Sequence, residues 1–202
     1  MFITDEVELR GQYGTMHPLA VRKVLDRLDA YCKRFIALSP FLVLATAGAD
    51  GTLDASPRGD DPGFVQPIDD HTLLIPDRPG NNRVDSLSNV VATGKVGMLF
   101  MVPGLRETLR VNGTARLTTD PALLQTAAVG GKLPVTGLLV TVQEAFFHCG
   151  KAIIRSHLWE PERVLPKGSF PGIGRIISEQ LKVGDPAELE QAVEEESLRT
   201  LY

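Results

Sequence analysis

FLVLATAGADGTLDASPRGD, residues 41–60, reads as two strands and the turn between them. The run from Phe41 to Ala47 is short, aliphatic and β-branched, as a strand buried against a core requires. Gly48, Ala49, Asp50 and Gly51 supply turn chemistry, so the chain reverses there into a hairpin. On the return arm, alternation puts Thr52, Asp54, Ser56 and Arg58 on one face and Leu53, Ala55 and Pro57 on the other. A strand with one wholly polar face presents that face to water or to a ligand.

Working outward from this hairpin, short strands recur with hairpin-length connections and no helix repeating between them. His71 to Pro76 (HTLLIP) reads as a strand ended by Pro76 and the turn at Pro79 and Gly80. A helix follows, with Asn82 as its expected N-cap, Asp85 as a capping-box partner, an apolar stripe of Val84, Leu87, Val90 and Val91, and Gly94 as its stop. Two longer strands, Lys95 to Val102 and about Glu107 to Leu117, flank the turn at Pro103 and Gly104. The second aligns Arg106, Thr108, Arg110, Asn112, Thr114 and Arg116 on one face. Asp120 and Pro121 open a short helix. A last strand from Gly137 to His148 runs into a short helix within Cys149 to Trp159.

Helices flank this core. Pro18 starts a docking helix over about 18–36, with Val21, Val24, Leu25, Leu28, Cys32 and Phe35 on one face. A helical tail over about 170–202 holds Ile173 to Leu181 and Pro186 to Leu201, the latter opened by Asp185, Pro186 and Glu188. The fold class expected is mainly β with flanking helices, antiparallel throughout, in a single domain spanning 1–202.

Composition narrows the function classes. A chain of 202 residues, 43% hydrophobic and 23% charged, builds a core without disulfides or a structural metal. Cys32 and Cys149 lie far apart and read as free thiols in a reducing compartment, so the cytoplasm is expected. The amino-terminal stretch has acids and no long apolar run, unlike a targeting peptide, and no segment reaches the roughly 20 apolar residues of a membrane span. A net charge of −4 argues against broad nucleic-acid binding and leaves room for a local arginine cluster.

That cluster is where chemistry is expected. Ser56 and Arg58 project from one strand face, and a guanidinium grips phosphate oxygens in bidentate fashion. Arg78, Asn81, Asn82 and Arg83 occupy a Gly-containing turn into a helix, where free N–H groups and the helix dipole favour an anion. Asp85 is expected to fold back as a cap instead of facing the anion. The histidines show no metal-binding spacing, so no metal is expected, and no GxSxG, GxGxxG or Walker sequence occurs. Cys149, beside His148 and Lys151, reads as inert packing.

In order and spacing, FLVLATAGADGTLDASPRGD, LLIPDRPGNNRVDSLSNV, VGMLFMVPGLRETLRVNGTARL and HCGKAIIRSHLW resemble the pyridoxamine 5'-phosphate oxidase-related, FMN-binding split-barrel proteins. More narrowly they resemble a bacterial branch of FMN-dependent enzymes of unassigned substrate. The resemblance covers roughly residues 40–160, and SPRGD with RPGNNR is its specific part. It implies an FMN-binding split β-barrel of about six strands and a homodimer with FMN at the subunit interface. Carried onto this chain, it implies that Ser56, Arg58, Asn81, Asn82 and Arg83 contact phosphate or ribityl, and that Ile75, Pro76 and Asp77 edge the isoalloxazine. It further implies that Thr108 and Arg110 add ribityl or phosphate contacts, while the partner subunit brings Lys151, Arg155 and Trp159 to the ring. The implied activity is a flavin-dependent oxidoreductase acting on a small molecule. A non-catalytic FMN carrier or redox sensor, or the same fold with deazaflavin F420 or haem, remains open at this stage. SLRTLY (Ser197 to Tyr202) differs from the Trp- and Arg-containing segment with which pyridoxamine 5'-phosphate oxidases grip their substrate, and Thr108 stands where those oxidases place a glutamine.

Overall fold

The computed structural model describes residues 2–202 and builds them round one antiparallel sheet of seven strands, ordered β2-β1-β5-β6-β7-β4-β3. The opening hairpin is as read: β1 (Phe41–Ala47) pairs with β2 (Leu53–Gly59), Leu44 opposite Ser56 and Leu42 opposite Arg58. Its turn closes with Gly51 at φ 86°, where a side chain would be strained, and with the Asp50 carboxylate accepting from Thr52 N–H at 3.0 Å. β2 has β1 as its sole strand partner, so Pro57 costs no ladder bond on the free edge.

β1 then pairs with β5 (Lys95–Met101), β5 with β6 (Thr108–Thr118), and β6 with β7 (Gly137–His148). β7 carries β4 (Thr72–Pro76), and the two-residue β3 (Gln66–Pro67), which has no periodicity to betray it, completes the order. Alternate residues turn one face inward: Leu42 and Leu44, Met98 and Phe100, Leu109 and Val111, Leu138 and Val140, with Leu73 and Ile75, are all buried. The two ends of the sheet curl towards each other. Arg58 on β2 and Asp77 just beyond β4, near opposite ends of the strand order, lie 2.7 Å apart between Nη1 and Oδ1. The sheet is therefore a barrel split between β2 and the end of β4.

Two helical expectations are corrected. The segment 18–36 is not one helix: α2 (Pro18–Arg22) and α3 (Ala30–Leu38) are separated by extended chain, following a short α1 (Glu6–Gly11). The break is tertiary in origin. Leu25 exchanges two backbone hydrogen bonds with Ala145 of β7, at 3.0 and 2.8 Å, and Leu28 N–H donates to Asp70 O. Asp29 then caps α3 through the N–H of Cys32, and Cys32, Phe35 and Ile36 face the core. Burial first, then a hydrogen bond with Asp29, pushes the Cys32 thiol up to about 11.

The second correction concerns α4 (Asp85–Thr93). Asn82 does not cap it: Asn82 and Val84 both adopt left-handed backbone, φ 58° and 53°, and Asp85 opens the helix with no side-chain cap. Asn81 takes the Arg83 N–H instead, at 3.1 Å, and Asp85 pairs with Arg83 at 2.9 Å. A β-branched residue in the left-handed region is strained backbone, here at the edge of the cleft described below. Gly94 ends α4 as expected, in left-handed conformation.

The remaining helices are α5 (Pro121–Gln125), α6 (Lys151–Ser156), α7 (Ile173–Leu181) and α8 (Pro186–Arg199). Asp120 and Asp185 cap α5 and α8. α7 and α8 pack closely enough that a Cβ on Gly174 would fall 2.4 Å from Leu189 O, and Arg175 pairs with Glu190 at 3.0 Å. Among the described residues no helix is long and apolar enough to cross a membrane.

Candidate functional site

The split in the barrel holds a cleft of about 710 Å³. One wall is the polar face of β2, Asp54, Ser56 and Arg58; the other is Pro76 to Val84, with the first turn of α4, Phe64, Val135 and Thr136 completing it. Asp54, Ser56 and Arg58 are the polar members of the β2 wall, and Ala55, Pro57 and Gly59 between them line the cleft too. Of the residues expected at the site, Ser56, Arg58, Pro76, Asp77, Arg78, Asn81, Asn82 and Arg83 line it.

Each arginine there is already engaged. Arg58 donates to Asp77, and their side chains are 19% and 20% exposed. Arg78 donates through Nε to Asp60 at 2.6 Å and through Nη1 to Ala127 O at 2.9 Å. Arg83 pairs with Asp85 at the mouth, where both are exposed enough for water to weaken the pair. Three arginines and three aspartates thus line the cleft, so net charge alone does not define it as an anion site.

Two unpartnered polar atoms lie in its wall. Arg58 Nε and Thr136 Oγ1 are buried without a hydrogen-bond partner, and both residues line the cleft. Buried polar atoms left unpaired cost free energy, and each of these two belongs to a residue of the cleft wall. The uncapped first turn of α4 adds backbone N–H groups to the same space.

Sequence reasoning passed over Asp54 and Thr136. Asp54 was visible as a member of the polar strand face. It accepts from Ser86 Oγ at 2.5 Å and Thr46 Oγ1 at 3.4 Å, and Asn89 steadies Thr46 at 3.0 Å. Ser86 and Thr46 are two of the few buried polar residues, which marks this carboxylate as deliberately held. Thr136 carries no motif and is placed only by the β7 register, where its carbonyl accepts from Asp77 N–H at 2.9 Å.

The other expected residues do not line this cleft. Ile75 is fully buried and belongs to the core. Thr108 and Arg110 lie on β6 beside β7, where the Arg110 guanidinium sits 5.4 Å from the Phe146 ring centre and the ring of His148 lies 5.0 Å from the same centre. His148 Nε2 is buried and unpartnered; burial first, then the charges of Arg110 and Lys23, hold its imidazole below the usual range. Lys151 and Arg155 are exposed on α6, which begins just beyond β7. Trp159 donates from Nε1 to Leu105 O at 2.8 Å and lines a separate hollow of about 210 Å³ with Arg106, Ile153, Ile154 and His157. The fourteen candidates therefore fall into the cleft group, a second group on β6, α6 and the turn after α6, and one core residue.

A split antiparallel barrel with a polar cleft in the split defines the class to which this chain is assigned. The sequence model of pyridoxamine 5'-phosphate oxidase matches residues 28–149, more than half the chain, and the protein belongs to that family. No curated protein sequence matches the chain. Among solved structures it is similar to HupZ of Group A Streptococcus, at 20% identity over 59% of this chain and 92% of that one, with a TM-score of 0.48. It is similar also to a putative pyridoxamine 5'-phosphate oxidase from Lactobacillus delbrueckii (19% identity, 60% and 95% covered, TM-score 0.46). An FMN-binding protein from Syntrophomonas wolfei shows 12% identity, with 56% and 80% covered and a TM-score of 0.45.

Proposed function

We propose that the protein binds FMN with its phosphate in the cleft between β2 and the 77–84 loop, and acts in the cytoplasm as a homodimeric flavin-dependent oxidoreductase on a small molecule. The observation that carries the cofactor is one cleft lined by Arg58, Arg78 and Arg83 beside an uncapped helix start, with two unpartnered polar atoms, Arg58 Nε and Thr136 Oγ1, in residues of its wall. The charge of a phosphate monoester suits the guanidiniums of Arg58, Arg78 and Arg83, and its oxygens accept from the free N–H groups at the start of α4.

In this reading Ser56, Arg58, Arg78, Asn81, Asn82 and Arg83 hold the phosphate and ribityl end, and Pro76 and Asp77 border the ring through backbone groups. When bound, FMN supplies the redox chemistry through its isoalloxazine ring. The chain's own work is binding, orientation and charge. Thr108, Arg110, Lys151, Arg155 and Trp159 belong in this reading to the cofactor site completed by the partner subunit, with Arg155 or Lys151 placing positive charge where the reduced ring is anionic.

The purified protein is expected to be yellow, with a flavin absorbance spectrum, and to oxidise NAD(P)H when an electron acceptor is added. Bound flavin without turnover across a panel of donors and acceptors makes the protein a carrier or sensor. Colourless protein that takes up no added FMN overturns the cofactor assignment.

A further inference from the structure

Arg78 is held by more of the chain than its neighbours in the cleft are. Its Nε donates to Asp60 Oδ2 at 2.6 Å and its Nη1 to Ala127 O at 2.9 Å, and its side chain is 17% exposed. Asp60 is deeper still, its side chain 3% exposed, and a carboxylate so buried needs every acceptor site filled. The Asp61 N–H fills one, at 2.8 Å to Oδ1, and the phenol of Tyr202 donates to that same oxygen at 2.6 Å. The Tyr202 ring also lies 5.7 Å from the Arg78 guanidinium carbon, and Tyr202 O accepts from Lys132 Nζ at 3.2 Å. Arg78 and Tyr202 are thus both tied to the 127–132 turn as well as to Asp60.

We propose that Tyr202 is a positioning residue for the cleft: through Asp60 it fixes the guanidinium of Arg78 in the geometry that receives the ligand's phosphate. This deepens the FMN reading and rests on it for the identity of the ligand. The arrangement agrees with the acid–base behaviour of the pair. Burial works against ionisation of Asp60, yet the hydrogen bonds from Tyr202, Asp61 N–H and Arg78 together hold its carboxyl below the ordinary range. The hydrogen bond to Asp60 first, then partial burial, raises the Tyr202 phenol above its ordinary range. Because coupling is reciprocal, whatever Tyr202 contributes to phosphate binding, a bound phosphate returns to the docking of residues 185–202.

The test is Tyr202→Phe in the full chain, which removes the hydroxyl and keeps the ring, read in two ways. In FMN titrations, Tyr202→Phe is expected to weaken binding about five-fold, the worth of one net hydrogen bond. Arg78→Ala with Tyr202→Phe is expected to bind no more weakly than Arg78→Ala alone, because the two act in series. Independently of any ligand, solvent exchange of the Arg78 Nε–H proton, followed by NMR, is expected to be slow in the parent and at least about five-fold faster in Tyr202→Phe. Unchanged exchange, or FMN affinity that falls equally whether or not Arg78 is present, overturns the proposal. A parent protein that binds no FMN but shows the exchange difference leaves the Arg78 role intact and removes FMN as the ligand.

Discussion

Protein carrying Arg58→Ala and Arg83→Ala together is expected to lose FMN by about 100-fold or more while remaining folded. Charge-assisted hydrogen bonds to phosphate contribute roughly 1.5–3 kcal/mol each, and two of them together exceed the factor named. The arginines serve unequally. Arg58 is largely buried in the cleft wall, with one guanidinium N–H on Asp77, whereas Arg83 is exposed and tied only to Asp85. The Arg58 change is therefore expected to account for most of the loss. The fold tolerates the pair because neither residue belongs to the core, although Asp77 is left without its partner. Equilibrium titration with FMN, beside circular dichroism to verify folding, checks both halves. Retained affinity with a native spectrum means the phosphate lies elsewhere.

The second large effect concerns the frame that sets β6 and β7. The register slips between Asn112 and Gly113, so that Asn112 faces Glu144 and Gly113 faces Val142. At this bulge the strands approach so closely that a Cβ on Gly113 would lie 2.0 Å from Thr141 O and 3.0 Å from Thr141 C. Both are backbone atoms of the facing strand, so no rotamer change relieves the clash. Gly113→Ala is expected to cost about 3 kcal/mol or more, a fall of about 10 °C in Tm for a chain of this size. Gly97→Ala is the matched control in the same sheet. Its Cβ meets only the Asn112 amide oxygen at 3.3 Å and the Ala45 methyl at 3.9 Å. Thermal melts that place the two variants within about 2 °C of each other would mean that the β6–β7 register is wrong.

How far the sequence could be read followed the range of the forces involved. Where the deciding interactions are local, the reading holds: the β1–β2 hairpin is announced by its Gly-containing turn, α5 and α8 by aspartate caps before proline, and the end of α4 by Gly94. The cleft's β2 wall was legible for the same reason, since alternation alone puts Ser56 and Arg58 on one face. The helix over 18–36 failed because Leu25 leaves helical pairing for Ala145, a competition that periodicity cannot register. Asn82 offered good cap chemistry, but the cleft edge holds it and Val84 in left-handed backbone. Thr136 and Tyr202 had no local signal. The Tyr202–Asp60 contact spans 142 positions, and only the folded barrel brings those groups together.

The balance of charge in the cleft gives the account its sharpest consequence. With Asp54, Asp77 and Asp85 set among the arginines, net field does little to draw in a phosphate, and in the proposed reading particular donors hold it. A ligand with the same ring and sugar chain but no phosphate forfeits those contacts. The direct measurement is therefore a pair of titrations of the cofactor-free protein, one with FMN and one with riboflavin, under the same conditions. FMN binding at least about 100-fold more tightly than riboflavin is the predicted result. Equal affinity for the two would contradict the phosphate cradle at Arg58, Thr136 and the start of α4.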